Sequence, residues 1–468
     1  MEAGTISDRK EPSTPSSQSR EILELAIPAM LAIASEPILA LADTAMIGRL
    51  GVEPLAGRAI ASALIGGIYW VFTFLIFGTT TLVGRHYGAN EPKACGEIYL
   101  QAIVLATIGG IAVSSLCILF ASRLYTVMGA EQAVLVAGAS YFRTRMAATP
   151  LTFFWYATVG FLRGIQNTRT PMFIALFVNG FNIVLDYALI YGRFGFPAMG
   201  LQGAAIASVA SQLIGASICI RLLFYSSYAT RYGLTRWSLK PSRFRSLSRI
   251  GREIAVRTGA LRFSLIFATA TVARMGPSLL SSHEIAFQLW IFCSDTVDGL
   301  AVAGQALVAK YLGSNRAEKA YRLGKILILW GCATGFSFGL GYWLFKRPLI
   351  NLFTKSPDVI QTLSTEIFPL LVLSLPLNGI VFVLDGILIG AHDTRFLMWA
   401  MLIGSFTIFI PITWLSLQFG LGLLGIWVGL SLFMVFRFCT NLFRLMRRRW
   451  AHAFAARGME KRRQYKQE

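Results

Sequence analysis

The feature that most constrains this chain is a set of long windows without charge. Residues 59–84, 98–122, 194–220 and 326–345 contain no Asp, Glu, Lys or Arg. Residues 396–436 form a further uncharged stretch of 41, broken by Gly420 and Gly422. A helix rises 1.5 Å per residue, so about 20 apolar residues cross roughly 30 Å of hydrocarbon. The runs are continuous rather than alternating, which points to helices and not to a β-barrel. Charged residues make up 14% of the chain, hydrophobic ones 55%, and the mean hydropathy is +0.59. A soluble domain carries about 25% charge, so a large soluble globule is excluded, and so is a disordered chain. Weaker windows complete the set. Twelve transmembrane helices are expected at 22–47, 59–83, 98–121, 134–161, 171–191, 200–225, 253–275, 284–309, 323–345, 366–390, 396–416 and 422–445.

The chain holds 43 Lys+Arg against 23 Asp+Glu, a net charge of +20. With the N-terminus inside, most basic residues fall in the tails and in alternate loops, which gives cytoplasmic termini in a cell (inner) membrane. The largest clusters are Arg231, Arg236, Lys240, Arg243, Arg245, Arg249 and Arg252, and Arg447, Arg448, Arg449, Arg457, Lys461, Arg462 and Arg463. They mark topology and contact anionic headgroups; no nucleic-acid partner is expected. Residues 1–20 are polar, rich in Ser, Pro and Thr, and expected as a disordered cytoplasmic tail without a signal peptide. Residues 446–468 form a basic cytoplasmic tail. Six scattered cysteines, without a CxxC pair, are expected as buried small hydrophobes. His86, His283, His392 and His452 are expected in loops or the tail, with no metal site and no cofactor.

The two halves echo each other. Leu82-Val83-Gly84-Arg85 with Gly88-Ala89-Asn90 resembles Leu307-Val308-Ala309-Lys310 with Gly313-Ser314-Asn315 at an offset of 225, which also relates Arg49-Leu50-Gly51 to Arg274-Met275-Gly276. Pro150, Gly164 and Thr168-Arg169 match Pro376, Gly390 and Thr394-Arg395 at 226. Six helices per half give two parallel repeats: an N-lobe at 21–225, a basic linker at 226–252 and a C-lobe at 253–445. Rocking of one half against the other is alternating access, so the repeat favours a transporter. A membrane enzyme would need a clustered metal or diphosphate motif such as DDxxD, and a channel a ring of filter residues; the sequence displays neither.

Ala42-Asp43-Thr44-Ala45-Met46-Ile47-Gly48-Arg49-Leu50-Gly51 resembles the end of the first helix of multidrug and toxic compound extrusion (MATE) transporters. Arg85 with Gly88-Ala89-Asn90 resembles their second-helix exit. Leu162-Arg163-Gly164 with Thr168-Arg169, and Gly390 with Asp393-Thr394, resemble their paired short loops. Leu384-Asp385-Gly386-Ile387-Leu388-Ile389-Gly390 is most similar to the DNA-damage-inducible protein F (DinF) branch. The resemblance implies a V-shaped pair of lobes in a lipid bilayer, acting as a monomeric antiporter. It would export small organic compounds against an inward H+ gradient, with Na+ as the alternative coupling ion. An organic-anion exporter of the same fold, or a lipid-linked flippase of the wider superfamily, stays open.

Ionisable groups inside a bilayer are costly, so they mark function. Asn179, Asn182 and Asp186 are spaced to stack on one face of the fifth helix. Asp186 and Asp43 both fall in the outer half of the N-lobe, where they could approach each other. Two carboxylates in low dielectric cannot both ionise easily, which is the chemistry a proton-coupled carrier needs. The resemblance assigns Asp43, Asn182 and Asp186 to the N-lobe cation site. Glu36 lies two turns before Asp43, and Pro28 and Pro37 make the first helix a candidate for bending. Asp295 and Asp298, on one face of the eighth helix with Gln288 and Gln305, and Asp385, seven residues after Asn378, are secondary candidates. Asp385 falls near a helix end and could simply be hydrated. Other branches of the family it resembles carry a C-lobe acid in the seventh helix; here that helix carries Arg257 and Arg262 instead, with Glu253 only at its entrance, which favours the N-lobe site. Arg143 and Arg145 fall in the fourth helix and Arg257 and Arg262 in the seventh; pairing or snorkelling is their default. Arg257, Arg262, Tyr156 and Trp290 are the substrate-binding candidates.

Overall fold

The computed structural model describes residues 15–235, 240–448 and 450. The described residues are helical and form a multi-pass membrane protein of two six-span lobes. The N-lobe contains α1 (Pro15–Gly48), α2 (Val52–Phe72), α3 (Phe74–Gly88), α4 (Pro92–Leu119), the short α5 (Ala121–Val127), α6 (Gln132–Ala147), α7 (Thr149–Gly164), α8 (Arg169–Tyr191) and α9 (Gly200–Phe224). The short α10 (Ser227–Tyr232) follows. The C-lobe contains α11 (Pro241–Ala273), α12 (Pro277–Gly313), α13 (Ala317–Leu344), the short α14 (Lys346–Phe353) and α15 (Pro357–Thr362), and α16 (Phe368–Gly390). It ends with α17 (Thr394–Ile403), α18 (Ile410–Gln418) and α19 (Gly422–Met446).

Each of the twelve expected spans has its counterpart. Ten are long and apolar enough to cross a membrane by that measure alone. The other two explain themselves: α6 and α7 are parted at Ala148 and carry Arg143, Arg145 and Arg163, while α11 carries Arg257 and Arg262. The second span is also interrupted, at Thr73, whose hydroxyl donates to the Trp70 carbonyl at 2.7 Å. π-Helical turns at Leu363–Ile367 and Gly404–Phe409 interrupt the tenth and eleventh. Prolines open α4, α11, α12 and α15, where no intrahelical hydrogen bond is lost. α1 runs continuously through Pro28 and Pro37.

Three boundaries differ from expectation. The tail placed at 1–20 is helical from Pro15, with Gln18 and Ile22 buried and Arg20 paired with Glu24 at 3.0 Å; residues 1–14 lie outside the described residues. The linker placed at 226–252 is mostly helix. Leu247 and Ile250 form an apolar stripe on α11 that closes over Gly78 of α3, so this basic segment extends the seventh span. Arg236 lies outside the described residues. In the basic tail, Arg448 pairs with Glu318 at 3.1 Å, whereas 449 and 451–468, including His452, are not described. The cysteines are free, with Cys95, Cys117, Cys219 and Cys293 buried, Cys332 half-buried and Cys439 exposed.

The repeat is visible in the backbone. Asn90 and Asn315 adopt φ of 59° and 58°, and Gln166 and His392 67° and 65°. Gly51 and Gly276 adopt φ of 128° and 115°, a conformation that L side chains rarely reach. Packing repeats too. A methyl at Gly88 would strike the Lys310 carbonyl, and one at Gly313 the Arg85 carbonyl, so each lobe's glycine lies against the other lobe's backbone.

Those glycines belong to a seal between the lobes. α1 and α3 pack on α12, and α3 on α11. Gln305 donates to the Phe77 carbonyl at 2.7 Å, Thr81 to the Ile389 carbonyl at 3.1 Å, and Gln166 to the Ala306 carbonyl at 3.0 Å. Glu21 accepts from Lys310 at 2.7 Å and from Tyr311 at 2.5 Å. These contacts gather at the end of the bundle that carries the start of α1. We refer to it as the terminal face.

Candidate functional site

Toward the opposite end, α1, α2, α6 and α8 enclose a carboxylate pair. Asp186 on α8 is fully buried and Asp43 on α1 is half-buried. The two side chains lie within hydrogen-bonding reach of each other. Asn182 donates to Asp186 Oδ2 at 3.1 Å. Asp43 Oδ1 and Asp186 Oδ1 are both buried without a protein donor. Two carboxylate oxygens can share a hydrogen bond only with a proton between them, because an ionised carboxylate only accepts. Asn179 completes the α8 stripe and donates to Ser35 of α1 at 2.9 Å. The Tyr191 hydroxyl donates to the Met46 carbonyl at 2.8 Å. α1 and α8 are therefore fastened on both sides of the acids.

Sequence reasoning missed Arg58 and did not connect Arg145 with this site. Arg58 of α2 reaches Asp43 Oδ2 at 3.6 Å and donates to Thr44 Oγ1 at 2.7 Å and to the Ala40 carbonyl at 3.2 Å. Arg145 of α6 also acts on both acids, beside Tyr141 and Tyr69. Arg58 fell in an expected outer loop at the edge of an uncharged window, and no periodicity links it to Asp43. Spacing within one helix reveals a stripe such as Asn179–Asn182–Asp186, but not its partners on other helices.

The C-lobe acids separate into two kinds. Asp385 of α16 is buried and clamped: Arg257 of α11 pairs with it at 2.5 Å, Arg437 of α19 binds the same Oδ2, and Asn441 donates to Oδ1 at 2.9 Å. The expectation of a hydrated group near a helix end fails, because α19 brings two donors onto it. Arg257 is thereby committed to an ion pair and is not a free substrate ligand. Glu253 lies in the fourth turn of α11 rather than at its entrance, buried, and accepts a hydrogen bond from Thr394. Asp295 and Asp298 of α12 stay half-buried, with Arg262 acting on the former and Arg257 and Arg437 on the latter. Gln288 and Gln305 do not join them: one binds Glu284 at 2.9 Å, and the other seals the lobes. Asn378 binds Ser374 at 3.2 Å.

A cleft opens above the seal. Glu36, midway along α1, is exposed, yet Arg163 of α7 and Asp295 of α12 both act on it. Charges from both lobes acting on one exposed side chain place a cleft between the lobes at this level. Tyr156 is half-buried beside Glu36. Arg262 lies over the Trp70 ring, 3.6 Å from its centroid, and joins α11 to α2. Trp290 does not line the cleft: it is 5% exposed and packs on Phe287 and Phe382 inside the C-lobe. His283 is likewise not in a loop but buried within α12, and His86 closes α3. Among the described residues, no three His, Cys, Asp or Glu side chains are grouped to hold a metal ion.

Comparison with known proteins agrees with this architecture. The MatE family model matches twice, over residues 28–188 and 256–415, once in each lobe. A probable multidrug resistance protein NorM of Thermotoga maritima is 28% identical over 92% of this chain and 93% of its own length. DETOXIFICATION 44, chloroplastic, of Arabidopsis thaliana is 30% identical over 91% of this chain and 82% of its own length. DNA damage-inducible protein F of Escherichia coli is 27% identical, covering 94% and 95%. Among solved structures, a MATE protein in the bent conformation shares the fold with a TM-score of 0.85 at 22% identity, covering 94% of this chain and 97% of that one. The chain belongs to the MatE family.

Proposed function

We propose that the protein is a secondary active carrier that exports small organic compounds in exchange for protons, with Asp43 and Asp186 as the coupling pair. The observation that carries this reading is the contact between two carboxylates that each leave a buried oxygen without a donor. A proton satisfies both at once. A sodium ion suits the site less well, because Arg58 and Arg145 already place two positive charges beside the acids. α1 supplies the mechanical link: it carries Asp43 near one end and Glu21, in the inter-lobe seal, near the other. Ionisation of the pair sets the acids against each other and strains the α1–α8 contact; protonation restores it.

With termini in the cytoplasm, as the basic residues favour, the terminal face is the inner gate and the cleft opens outward. This orientation, a monomeric state and placement in a cell (inner) membrane belong to the same proposal. Arg163 makes no ion pair among the described residues and borders the cleft; this favours, as a second reading, cargo that bears a carboxylate. The test is export from proteoliposomes under imposed pH or sodium gradients, with cationic dyes and organic acids as cargo. Asp43→Asn and Asp186→Asn are expected to insert and fold but to lose gradient-driven export. Normal export by both variants refutes the assignment, and export driven by sodium alone refutes the proton.

A further inference from the structure

We infer that the cleft takes a zwitterionic cargo, with its cationic group between Glu36 and Asp295 and its anionic group on Arg163. This narrows the carrier reading, on which it rests, to one class of organic compound. The first observation is depth. Glu21 of α1 binds Lys310 of α12, and a methyl at Gly299 of α12 would strike Met30 of α1, so the two helices pack side by side and antiparallel. Glu36 lies fifteen residues after Glu21, and Asp295 fifteen before Lys310, so each acid stands about 22 Å above that contact. They occupy one level, one from each lobe, and Asp295 acts on Glu36. Arg163 lies deeper. It ends α7 beside Gly164, where a methyl would strike Val83 and Gly84 of α3, and the nearby Gln166 binds Ala306 across the seal. From this floor it acts on Glu36. Arg262, stacked on Trp70, acts on Asp295 from α11.

The second observation is that these charges are near one another but unpaired. Among the described residues, the side chains of Glu36, Arg163, Arg262 and Asp295 form no ion pair and no hydrogen bond. Glu36 is exposed; the other three are half-buried, and none of their polar atoms is closed off without a partner. The coupling site is different, because Asp43 Oδ1, Arg58 Nε and Arg145 Nε are all closed off there. Asp298, one turn deeper than Asp295, is balanced inside its own lobe, where Arg257 and Arg437 act on it and on Asp385. The Trp70 ring occupies one face of the Arg262 guanidinium, which leaves Asp295 for the cargo. The cleft thus holds acids on its walls and a cation on its floor, all within reach of water. A purely cationic cargo between the acids faces the like charge of Arg163, and a purely anionic one faces Glu36 and Asp295. A cargo with both signs satisfies floor and walls together, and expelling water strengthens both contacts.

The test uses three dyes on one xanthene core: rhodamine B, a zwitterion; its methyl ester, a cation; and fluorescein, an anion. Fluorescence anisotropy with the full chain in lipid nanodiscs, and empty nanodiscs as the blank, reads binding without a gradient. Rhodamine B is expected to bind at least about tenfold more tightly than either other dye, as one charge-assisted contact provides. Arg163→Gln is expected to cancel its advantage over the ester, and Arg163→Lys to keep most of it. Glu36→Gln and Asp295→Asn are expected to cancel its advantage over fluorescein. An ester bound as tightly as rhodamine B, no binding of any of the three dyes, or an advantage over the ester that survives in Arg163→Gln overturns the inference. Should Arg163→Gln fail to fold, Glu36→Gln decides from an exposed position, and unchanged relative affinities count against the site. Asp43→Asn is expected to keep the ranking of the dyes while losing gradient-driven export. If Asp43→Asn and Asp186→Asn export normally the coupling assignment fails, and the ranking of the dyes still decides the cargo.

Discussion

A single methyl group at Gly88 tests the seal between the lobes. Gly88 ends α3 in a helical conformation, so alanine is locally acceptable there and favoured over glycine in a helix by about 1 kcal/mol. The obstacle lies in the other lobe. The new carbon falls well inside contact distance of the Lys310 carbonyl oxygen and close to its Cα. Ordinary packing needs roughly 3.5 Å between heavy atoms, so the lobes must part by more than about an ångström at this point. Overpacking of this kind costs about 1–3 kcal/mol. The cost falls only on the state sealed at the terminal face, so the balance between states shifts by about 5- to 150-fold. Gly313→Ala provides the symmetric experiment, since its carbon meets the Arg85 carbonyl, and Gly180→Ala is the control, with nothing within 4 Å. Spin labels at the exposed Lys93 and Arg322, on the first turn of α4 and the second of α13, report the separation by double electron–electron resonance. Both glycine variants are expected to show a longer-distance population and slower export. Wild-type distances and rates in both would refute the reasoning, because the seal would then tolerate a methyl that its geometry excludes.

Other consequences follow from the ion pairs. Asp385→Asn leaves the buried Arg437 and the half-buried Arg257 with their shared counter-charge removed, at an expected cost of about 3–5 kcal/mol; thermal unfolding in detergent should begin markedly earlier. Arg257→Gln should lower the same unfolding temperature while leaving cargo affinity in ligand-binding titrations unchanged, because the guanidinium serves Asp385. Glu21→Gln weakens the bonds from Lys310 and Tyr311, each worth about 1.5–3 kcal/mol as charge-assisted contacts. The same spin-label pair should then report an increased open fraction at the terminal face.

The spans were legible because a bilayer imposes a length and a composition that survive in any uncharged window. Even α6–α7 and α11, whose charges dilute the signal, were found by interpolation. The ends were less legible: α11 begins twelve residues before the expected 253, because Leu247 and Ile250 form a stripe too short to stand out among arginines. The repeat could be read because its glycines and asparagines hold backbone conformations that few residues reach, so Gly51 and Gly276 remain glycine in both halves.

Within the sites, the sequence by itself determined which residues are chemically expensive and which of them share a helix: Asn179, Asn182 and Asp186 on α8, and Glu36 and Asp43 on α1. It could not determine which charges meet. An approach of Asp43 to Asp186 could be expected from their depth, whereas Asp385 read as a hydrated acid near a helix end. Tertiary structure sets Asp43 against a second acid and Asp385 between two arginines. Helical spacing is local and repeats within a few residues, whereas the field on a buried carboxylate comes from side chains on other helices. Their distance in sequence carries no period, and only the packed bundle sums their charges.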